Sequence, residues 1–455
     1  MLYSLLEYLG THFDLPGAGL FRYLSFRSVC AIVFALLIGA IFGKKIIERL
    51  RRHQIGEEIR NLGLEGQMEK RGTPTMGGLI ILGAMLIPVI LFCDLGNVYI
   101  QLMIVSSVWL GLLGFADDYI KVFRKHKEGL KGRFKIIGQV GLGIIVGTVM
   151  CFSRDIVIIE KSQPKAAVVN VRADNTDTAT EEGYTVTAYP GNEPQKTTKT
   201  TIPFVKNNEF DYHWLVPTDK PWGDVLTWLI YILIAIFIIT AVSNGANLTD
   251  GLDGLAAGVC GIGCASMLAV SLFLPQATEI SVLVAALGGA CLGFLPFNIN
   301  PAKIFMGDSG SLLLGYVLST ASVLGLFKMY TLVAFAVPVL TLALPLTDTV
   351  FAVVRRVSRG ESPFHADRGH IHHRLLALGL TQKQAVAVLY AASGILGAAA
   401  VLLAANAAMR FWLLLGAVAL ALGIWLYVFA GHHFPSAPSA KAPEKGKKED
   451  GSTKP

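Results

Sequence analysis

The sequence predicts an all-α polytopic membrane protein with ten or eleven transmembrane helices and a small β-rich extracytoplasmic insertion. Its 455 residues are 53% hydrophobic and only 16% charged, whereas soluble domains usually carry about 25% charged residues. The apolar residues fall into blocks of about 17–25 residues, the length that a helix needs to cross a hydrocarbon core of roughly 30 Å. Because these runs are solidly apolar rather than alternating, they favour helices over barrel strands.

Eleven apolar blocks follow one another along the chain, and each is a predicted span. The first block is preceded by 24 residues that include Glu7 and Asp14 and is followed by no small-residue cleavage pattern. We therefore expect it to remain as a membrane span rather than to act as a removable signal peptide. The predicted spans are 25–43, 76–93, 99–116, 136–152, 225–243, 255–274, 280–297, 311–327, 331–353, 385–405 and 409–430.

The distribution of lysine and arginine predicts how these spans are oriented. Segments 44–75, 117–135 and 355–384 are rich in both residues, whereas the short loops near 94–98 and 275–279 contain neither. The positive-inside rule therefore places these three segments in the cytoplasm and the N-terminus outside. The alternation of the spans then places 244–254 and 298–310 in the cytoplasm as well.

Two polar segments interrupt or follow the spans and complete the predicted organisation. Residues 153–222 are rich in Thr, Val, Asn and Lys, contain short strand-like stretches, and are predicted to lie outside. Residues 431–455 form a basic, Pro- and Ala-rich stretch, for which a solvated disordered tail is a simpler expectation than a lipid-binding one. The predicted units are 1–152 with helices one to four, the insertion 153–222, 223–430 with helices five to eleven, and the tail 431–455, the cytoplasmic active-site loops lying in 1–152 and 223–430.

Three acidic motifs lie on the predicted cytoplasmic side. Asp117 and Asp118 follow an apolar run in GFADDYIKVF, where adjacent carboxylates are costly unless they pair or bind a cation. Asp250 and Asp253 lie in NGANLTDGLDGLAAG and would share a helix face if a helix begins there. Asp308 precedes an apolar helix in FMGDSGS, where helix-end amides suit a phosphate and a carboxylate suits magnesium. Capping or snorkelling would explain each motif alone, but their common side favours one shared site.

Basic residues and histidines accompany these carboxylates. Lys121 and Lys125 follow the aspartate pair, and His370, His372 and His373 lie in PFHADRGHIHHRL. A zinc site is conceivable for the histidines, but the absence of cysteine and the neighbouring arginines favour an anion. Carboxylates for magnesium and basic groups for phosphates together predict phosphoryl transfer between a lipid and a soluble substrate.

Other functional classes are less consistent with these motifs. No Walker A sequence is present, so direct use of ATP is not expected, and we expect no nucleic-acid partner. A transporter or flippase would need ionisable residues near the midpoints of spans, where Asp348 is the clearest candidate. A packing contact near the membrane interface would explain Asp348 equally well.

The motifs, taken together, resemble those of the polyprenyl-phosphate N-acetylhexosamine-1-phosphate transferase superfamily, glycosyltransferase family 4. KRGTPTMGG, GFADDYIK, NLTDGLDGL and FMGDSGS match its motifs in order. Residues 1–253 are similar to the branch that transfers phospho-MurNAc-pentapeptide from UDP to undecaprenyl phosphate, giving lipid I and UMP. From about residue 255 onward, HADRGHIHHRLL and the eleventh span are more similar to the branch that transfers GlcNAc-1-phosphate from UDP-GlcNAc.

This resemblance implies a role for each motif residue. Magnesium would be held by Asn247 and Asp308, and Asp117 would orient or help to deprotonate the lipid phosphate. Attack through an aspartyl intermediate on Asp117 stays open, although a single displacement needs only positioning and charge stabilisation. The remaining catalytic positions would be Asp118, Asp250 and Asp253, and the substrate-binding positions would be Lys70, Thr73, Lys121, Lys125, Asn298, His370, His372 and His373.

The resemblance also implies partners and a location. The acceptor would be undecaprenyl phosphate, and the donor would be a UDP-linked amino sugar, either UDP-MurNAc-pentapeptide or UDP-GlcNAc. The protein would lie in the cytoplasmic membrane of a bacterium, in contact with membrane lipid, with its active site on the cytoplasmic side. Homodimers are usual in this superfamily, and no feature of the sequence identifies a dimer interface.

Overall fold

The structure is a computed structural model, and its description is restricted to part of the chain. The described residues are 1–13, 16–52, 72–124, 126, 129–153, 158–159, 194–195, 199–201, 209–216, 222–273, 279–321, 351, 354–358, 360, 370–405 and 416.

Helices dominate the described residues, as the fold class predicted. Their bounds are α1 Leu2–His12, α2 Leu24–Arg52, α3 Gly78–Phe92, α4 Val98–Phe123, α5 Gly132–Phe152, α6 Gly223–Thr249, α7 Leu255–Phe273, α8 Glu279–Asn298, α9 Asp308–Ala321, α10 Ile371–Ala377 and α11 Gln382–Ala405. Short 3₁₀ helices cover Ala18–Arg22 and Tyr212–Leu215.

The predicted spans and the described helices agree closely. Six helices, namely α2, α4, α5, α6, α8 and α11, are long and apolar enough to cross a membrane, and α3 and α7 are shorter apolar helices. The chain is therefore a multi-pass, all-α membrane protein. The predicted spans 331–353 and 409–430, and with them Asp348, lie almost wholly outside the described residues.

The described parts of segment 153–222 contain short strands. They are β1 Ile158–Ile159, β2 Pro194–Gln195, β3 Lys199–Thr201 and β4 Glu209–Asp211, and they form two antiparallel pairs, β1 with β2 and β3 with β4. These pairs agree with the predicted β character of the insertion. The domain boundaries of the predicted organisation stay predictions.

Helix α9 occupies the centre of the helical assembly and positions the site. Every residue from Ser309 to Ala321 is buried, because α3, α4 and α6 pack around this helix. Close packing is made possible by small residues: a Cβ added to Gly315 would lie 2.7 Å from the carbonyl oxygen of Val242 on α6. The first residue of α9, Asp308, therefore lies at the meeting point of several helices.

Candidate active site

Three carboxylates meet where α4 approaches the beginning of α9. Asp117 and Asp118 lie on α4, and Asp308 is the first residue of α9. One ligand oxygen from each can be chosen so that all three lie within 4.8 Å of one another. Asp117 and Asp118 are fully or almost fully buried. The sequence placed the pair at the end of an apolar helix, but α4 continues to Phe123 and thereby carries both residues into this junction. We call Asp117, Asp118 and Asp308 the acidic cluster.

Asp118 binds the N-terminal end of α9. Its two carboxylate oxygens accept hydrogen bonds from the backbone N–H groups of Asp308 and Ser309, each at 3.0 Å. The negative carboxylate thereby satisfies two of the unpaired amides of the helix and faces the positive end of its dipole. The expectation that these amides are open to a phosphate was wrong for the first two, because Asp118 already occupies them.

Two lysines bridge the cluster. The Lys121 ammonium lies 2.6 Å from an oxygen of Asp117 and 3.3 Å from one of Asp308. Lys135, at the start of α5, contacts Asp117 at 2.9 Å and also Asp308. The backbone N–H of Leu130 donates to Asp117 at 2.7 Å. Three carboxylates against two ammonium groups leave one excess negative charge, which suits the cluster to a further cation.

Sequence reasoning missed Lys135. It had counted this residue only among the cytoplasmic basic residues. A usable signal was present, because Lys135 and Gln139 are polar residues four apart in an otherwise apolar stretch and therefore share one helix face.

The segment before α3 supports the start of α9 through its backbone. The N–H groups of Gly77 and Gly78 donate to the carbonyl oxygens of Phe305 and Met306, both at 2.9 Å. A Cβ on Gly78 would lie 2.1 Å from the backbone nitrogen of Gly310, so only glycine permits this approach. Thr73 lies, partly buried, at the beginning of this segment. The TPTMGG motif thus fixes the backbone just before Asp308.

Helices α5 and α6 run antiparallel beside the cluster, and close contacts set their register. A Cβ on Gly147 would lie 3.0 Å from side-chain atoms of Ile232, and one on Gly143 would lie 2.7 Å from the side chain of Ile236. Each step of four residues down α5 therefore corresponds to a step of about four residues up α6.

A buried polar network continues this register towards the cluster. The side-chain amide of Gln139 donates to Ser243 at 3.4 Å and accepts from Asn244 at 2.8 Å. The predicted metal position Asn247 lies further along α6, three residues beyond Asn244.

The two remaining aspartates lie in a turn between helices, which differs from the expectation that a helix begins there. Helix α6 ends at Thr249, Asp250 is its C-terminal cap, and α7 begins only at Leu255. We call residues 250–254 the aspartate turn. Asp253 accepts hydrogen bonds from the side chain of Asn300 at 3.0 Å and from the N–H of Ala302 at 3.3 Å.

Asn298 braces the same turn. Its side-chain oxygen accepts from the N–H of Gly254, and its side-chain nitrogen donates to the carbonyl oxygen of Ile304, both at 3.0 Å. Asn298 is only 2% exposed. Both ends of its amide therefore join the aspartate turn to the loop that leads into α9.

The three predicted histidines lie at the start of α10, beside the aspartate turn. The rings of His370 and His372 are stacked with centroids 5.7 Å apart, and those of His372 and His373 are 4.2 Å apart. A Cβ on Gly251 would lie 2.2 Å from Nε2 of His372. The structure thus brings His372 against the turn that carries Asp250 and Asp253.

The chain is similar in sequence to known proteins. Residues 210–326 match the family Glycosyl transferase family 4, and residues 70–82 match the phospho-N-acetylmuramoyl-pentapeptide-transferase signature 1. Proteins named phospho-N-acetylmuramoyl-pentapeptide-transferase from Flavobacterium psychrophilum and Parabacteroides distasonis are 48% and 50% identical over 340 and 338 residues. Each alignment covers 71% of this chain, and 80% and 77% of the respective relative. The chain belongs to the phospho-N-acetylmuramoyl-pentapeptide-transferase family.

A relative of the same name from Porphyromonas gingivalis is 49% identical over 333 residues, covering 70% of this chain. The stronger similarity of residues after about 255 to the GlcNAc-1-phosphate branch is not confirmed by these relatives.

Some predicted site residues lie outside the described part of this family member. Lys70 and Lys125 are among them, as are His365, Asp367 and Arg368 of the histidine motif. Among the described residues, the acidic cluster is the group of His, Cys, Asp or Glu side chains whose ligand atoms come close enough to share a metal ion. The three described histidines are not part of that group.

Proposed function

We propose that this chain transfers phospho-N-acetylmuramoyl-pentapeptide from UDP-MurNAc-pentapeptide to undecaprenyl phosphate, giving lipid I and UMP. This is the first membrane step of peptidoglycan synthesis. The observation that carries the proposal is the junction of Asp117, Asp118 and Asp308 with Lys121 and Lys135, in a chain about 48% identical to transferases named for this reaction. Acid groups for a cation beside basic groups for phosphates are what a diphosphate donor requires.

The active site is proposed to face the cytoplasm, in the cytoplasmic membrane of a bacterium. The acidic cluster lies near the end of α4 that continues into the basic segment 117–135. The basic end of α2, with Arg49, Arg51 and Arg52, belongs to the same predicted face. A UDP-linked donor is water-soluble and made inside the cell, which agrees with this orientation.

Magnesium is the cofactor that the donor set fits best. The cluster offers carboxylate oxygens, and the NLTDG motif adds the amide oxygen of Asn247. Magnesium prefers oxygen ligands and shares them with substrate phosphates. When bound, the ion would neutralise and polarise phosphate oxygens. We propose Asp308 and Asn247 as its protein ligands, with Asp118 holding the start of α9 in place.

Lys121 and Lys135 are proposed to bind the phosphates of the two substrates. Both ammonium groups are only partly buried and already lie between Asp117 and Asp308. A cation bound by these carboxylates would release the lysines to pair with phosphate oxygens. Phosphate contacts by Lys70, Thr73 and Lys125 complete this proposal from the sequence motifs.

The reaction is a displacement at the sugar-bearing phosphorus of the donor. An oxygen of undecaprenyl phosphate attacks this phosphorus, a new P–O bond forms, and the bond to the bridging oxygen of UMP breaks. Asp117 is proposed to accept the proton of a singly protonated lipid phosphate, or to orient that phosphate when it is already ionised. The lysines stabilise the charge that develops on the phosphate oxygens.

A single displacement is favoured over a covalent intermediate on Asp117. One oxygen of Asp117 accepts the Leu130 N–H and pairs with Lys135, and the other lies 2.6 Å from Lys121. A carboxylate so engaged is a poor nucleophile. The aspartate turn and His370, His372 and His373 are proposed to bind the nucleotide and sugar end of the donor.

A transporter is a weaker account of the same residues. No charged residue lies near the midpoint of any spanning helix that the structure describes. The buried charges of these helices lie at their ends, with Arg27 and Glu279 paired at 2.7 Å on one side and the acidic cluster on the other. A charged path across the membrane is therefore not found in the described helices.

Parallel supply of two donors tests the proposed function. Purified protein in detergent would receive undecaprenyl phosphate, magnesium and either UDP-MurNAc-pentapeptide or UDP-GlcNAc, and lipid-linked product and UMP would be measured. We expect product from the pentapeptide donor and none above an Asp308→Asn background from UDP-GlcNAc. Product from UDP-GlcNAc alone would replace the proposed donor, and product from neither would contradict the proposed activity.

A further inference from the structure

Tyr390 makes a specific contact with the aspartate turn from a helix that carries none of the sequence motifs. Its hydroxyl donates a hydrogen bond of 2.6 Å to the carbonyl oxygen of Gly254. Tyr390 lies in α11, whose other residues are mostly small and apolar. A phenol in such a helix is costly to bury unless its hydroxyl has a partner.

The ring of Tyr390 also packs directly against the backbone of Gly258, where no side chain intervenes. A Cβ on Gly258, in the first turn of α7, would lie 2.0 Å from the Tyr390 hydroxyl oxygen. Gly254 itself has a φ of +83°, a conformation that favours glycine. The two glycines therefore let the phenol reach the turn.

The peptide groups of Gly254 are held from both sides. The carbonyl accepts from Tyr390, while the N–H donates to Asn298, which in turn donates to the carbonyl of Ile304. This series of hydrogen bonds joins α11, the aspartate turn and the loop before α9.

A second hydrogen-bonded connection joins α11 to the aspartate turn through Asn300. The side-chain nitrogen of Asn300 donates to Asp253 at 3.0 Å and to the side chain of Gln382, the first residue of α11, at 2.9 Å. Helix α11 is therefore hydrogen-bonded to the aspartate turn at two points, through Asn300 from Gln382 and directly from Tyr390.

Apolar packing fixes the histidine helix to the same unit. The turn, α7, α10 and α11 all contribute buried residues to one apolar cluster, which packs these four elements against one another. The buried residues are Leu252, Leu255, Val259, Ile371, Leu375, Ala385 and Leu389.

We propose that Tyr390 and Asn300 are positioning residues that set Asp253 and His372 at the right separation for the donor. The proposal rests on the proposed function, in which the aspartate turn and the histidines bind the nucleotide and sugar. Tyr390 and Asn300 act through Asp253 and the turn backbone rather than by touching the substrate. Their loss should weaken donor binding and leave the acceptor and the chemical step nearly unchanged.

Substitution of Tyr390 by phenylalanine isolates the hydrogen bond, because the ring that packs on Gly258 is retained. Loss of one such bond should raise the KM for the UDP donor by about 2- to 10-fold. The KM for undecaprenyl phosphate and kcat should stay within about twofold. Asn300→Ala removes the side chain that connects Asp253 to Gln382 of α11. This variant should raise the KM for the UDP donor by a similar or larger factor.

A matched control is Tyr231→Phe. Tyr231 is a buried tyrosine of the spanning helix α6, and its hydroxyl faces the sulfur of Met150 at 3.9 Å. It lies nearer to the end of α6 that is away from the aspartate turn. We expect this variant to behave as wild type. Thermal unfolding of all three variants in detergent shows whether any kinetic change reflects loss of folded protein.

The kinetic pattern decides the proposal. A selective rise of the donor KM in Tyr390→Phe and Asn300→Ala, with unfolding temperatures near that of wild type, supports it. An unchanged donor KM, or equal rises of both KM values, would overturn the positioning role while leaving wild-type turnover and the proposed function intact. A wild type without turnover would overturn both.

Discussion

The acidic cluster and the aspartate turn lie at the same end of the helices but are held in different ways. The cluster is held mainly by charge: two lysines bridge Asp117 and Asp308, and Asp118 caps α9. The aspartate turn is held by neutral hydrogen bonds, one donated by Gly254 to Asn298 and one accepted by Gly254 from Tyr390, together with apolar packing. The first arrangement can be rearranged by an ion or a phosphate, whereas the second resists rearrangement.

This difference indicates that the two regions have different roles, the acidic cluster in the chemical step and the aspartate turn in binding the donor. Buried charges stabilise a fold poorly, because desolvation offsets much of their attraction, so the cluster is better explained by chemistry than by packing. A turn whose backbone is fixed by neutral hydrogen bonds and apolar packing suits the recognition of a fixed ligand shape. Changes in the cluster should therefore lower kcat, and changes around the turn should raise the KM of the donor.

The largest effect is expected from Asp308→Asn, which preserves shape and removes the negative charge that contacts both lysines and that the proposed magnesium ion would need. Turnover should fall by about 1,000-fold or more, because an electrostatic group at the reacting phosphates is lost. The assay is UMP release. Asp224→Asn is the control, since Asp224 is exposed at the start of α6 and pairs only with His213 among the described residues. If Asp308→Asn retained its turnover, the acidic cluster would not be the region that determines kcat.

Gly78→Ala tests the backbone support of the cluster. The new Cβ would lie 2.1 Å from the nitrogen of Gly310, and backbone cannot yield as a flexible side chain does. The free energy of unfolding should fall by about 3 kcal/mol, with loss of activity. Gly83→Ala on the same helix is the control, because nothing lies within 4 Å of its added Cβ. Equal stability of the two variants in thermal unfolding would contradict this close approach.

Lys135→Met keeps the length of the side chain and removes its charge. Turnover should fall by about 100-fold. Magnesium should also stabilise this variant against thermal unfolding more than it stabilises wild type, because the ion replaces a lost cation. Lys131→Met, at an exposed position just before α5, should change neither quantity. A magnesium effect equal to that of wild type would mean that Lys135 does not share the metal's carboxylates.

His372→Gln should have the smallest effect of the four and should act on a different constant. The donor KM should rise by about 10-fold, as expected for one lost hydrogen bond to a charged group, with kcat nearly unchanged. His213→Gln, at the other end of the helices, is the control. A fall in kcat with an unchanged donor KM would place His372 with the acidic cluster instead.

The helices were predictable because lipid imposes a simple rule. A segment that crosses the membrane must satisfy its own backbone, so its length and apolar composition identify it. Nine of the eleven predicted spans overlap described helices for this reason. Helix ends were less predictable: α4 and α6 continue beyond their apolar blocks, to Phe123 and Thr249.

The partners within the site were only partly predictable. The common side of Asp117, Asp118 and Asp308 followed from topology, but the capping of α9 by Asp118 joins residues 190 positions apart and depends on packing. Lys135 carried a weak local signal. Tyr390 carried none, because an isolated tyrosine in an apolar helix is common and its contact with Gly254 is set by tertiary structure.

The central claim is that the acidic cluster is a magnesium-dependent phosphate site. Exchange of labelled UMP into UDP-MurNAc-pentapeptide, in the presence of undecaprenyl phosphate, tests it most directly when magnesium is removed and restored. The account predicts exchange with magnesium, loss of exchange in excess chelator, and recovery when the ion is added back. Exchange at an undiminished rate in excess chelator would contradict it.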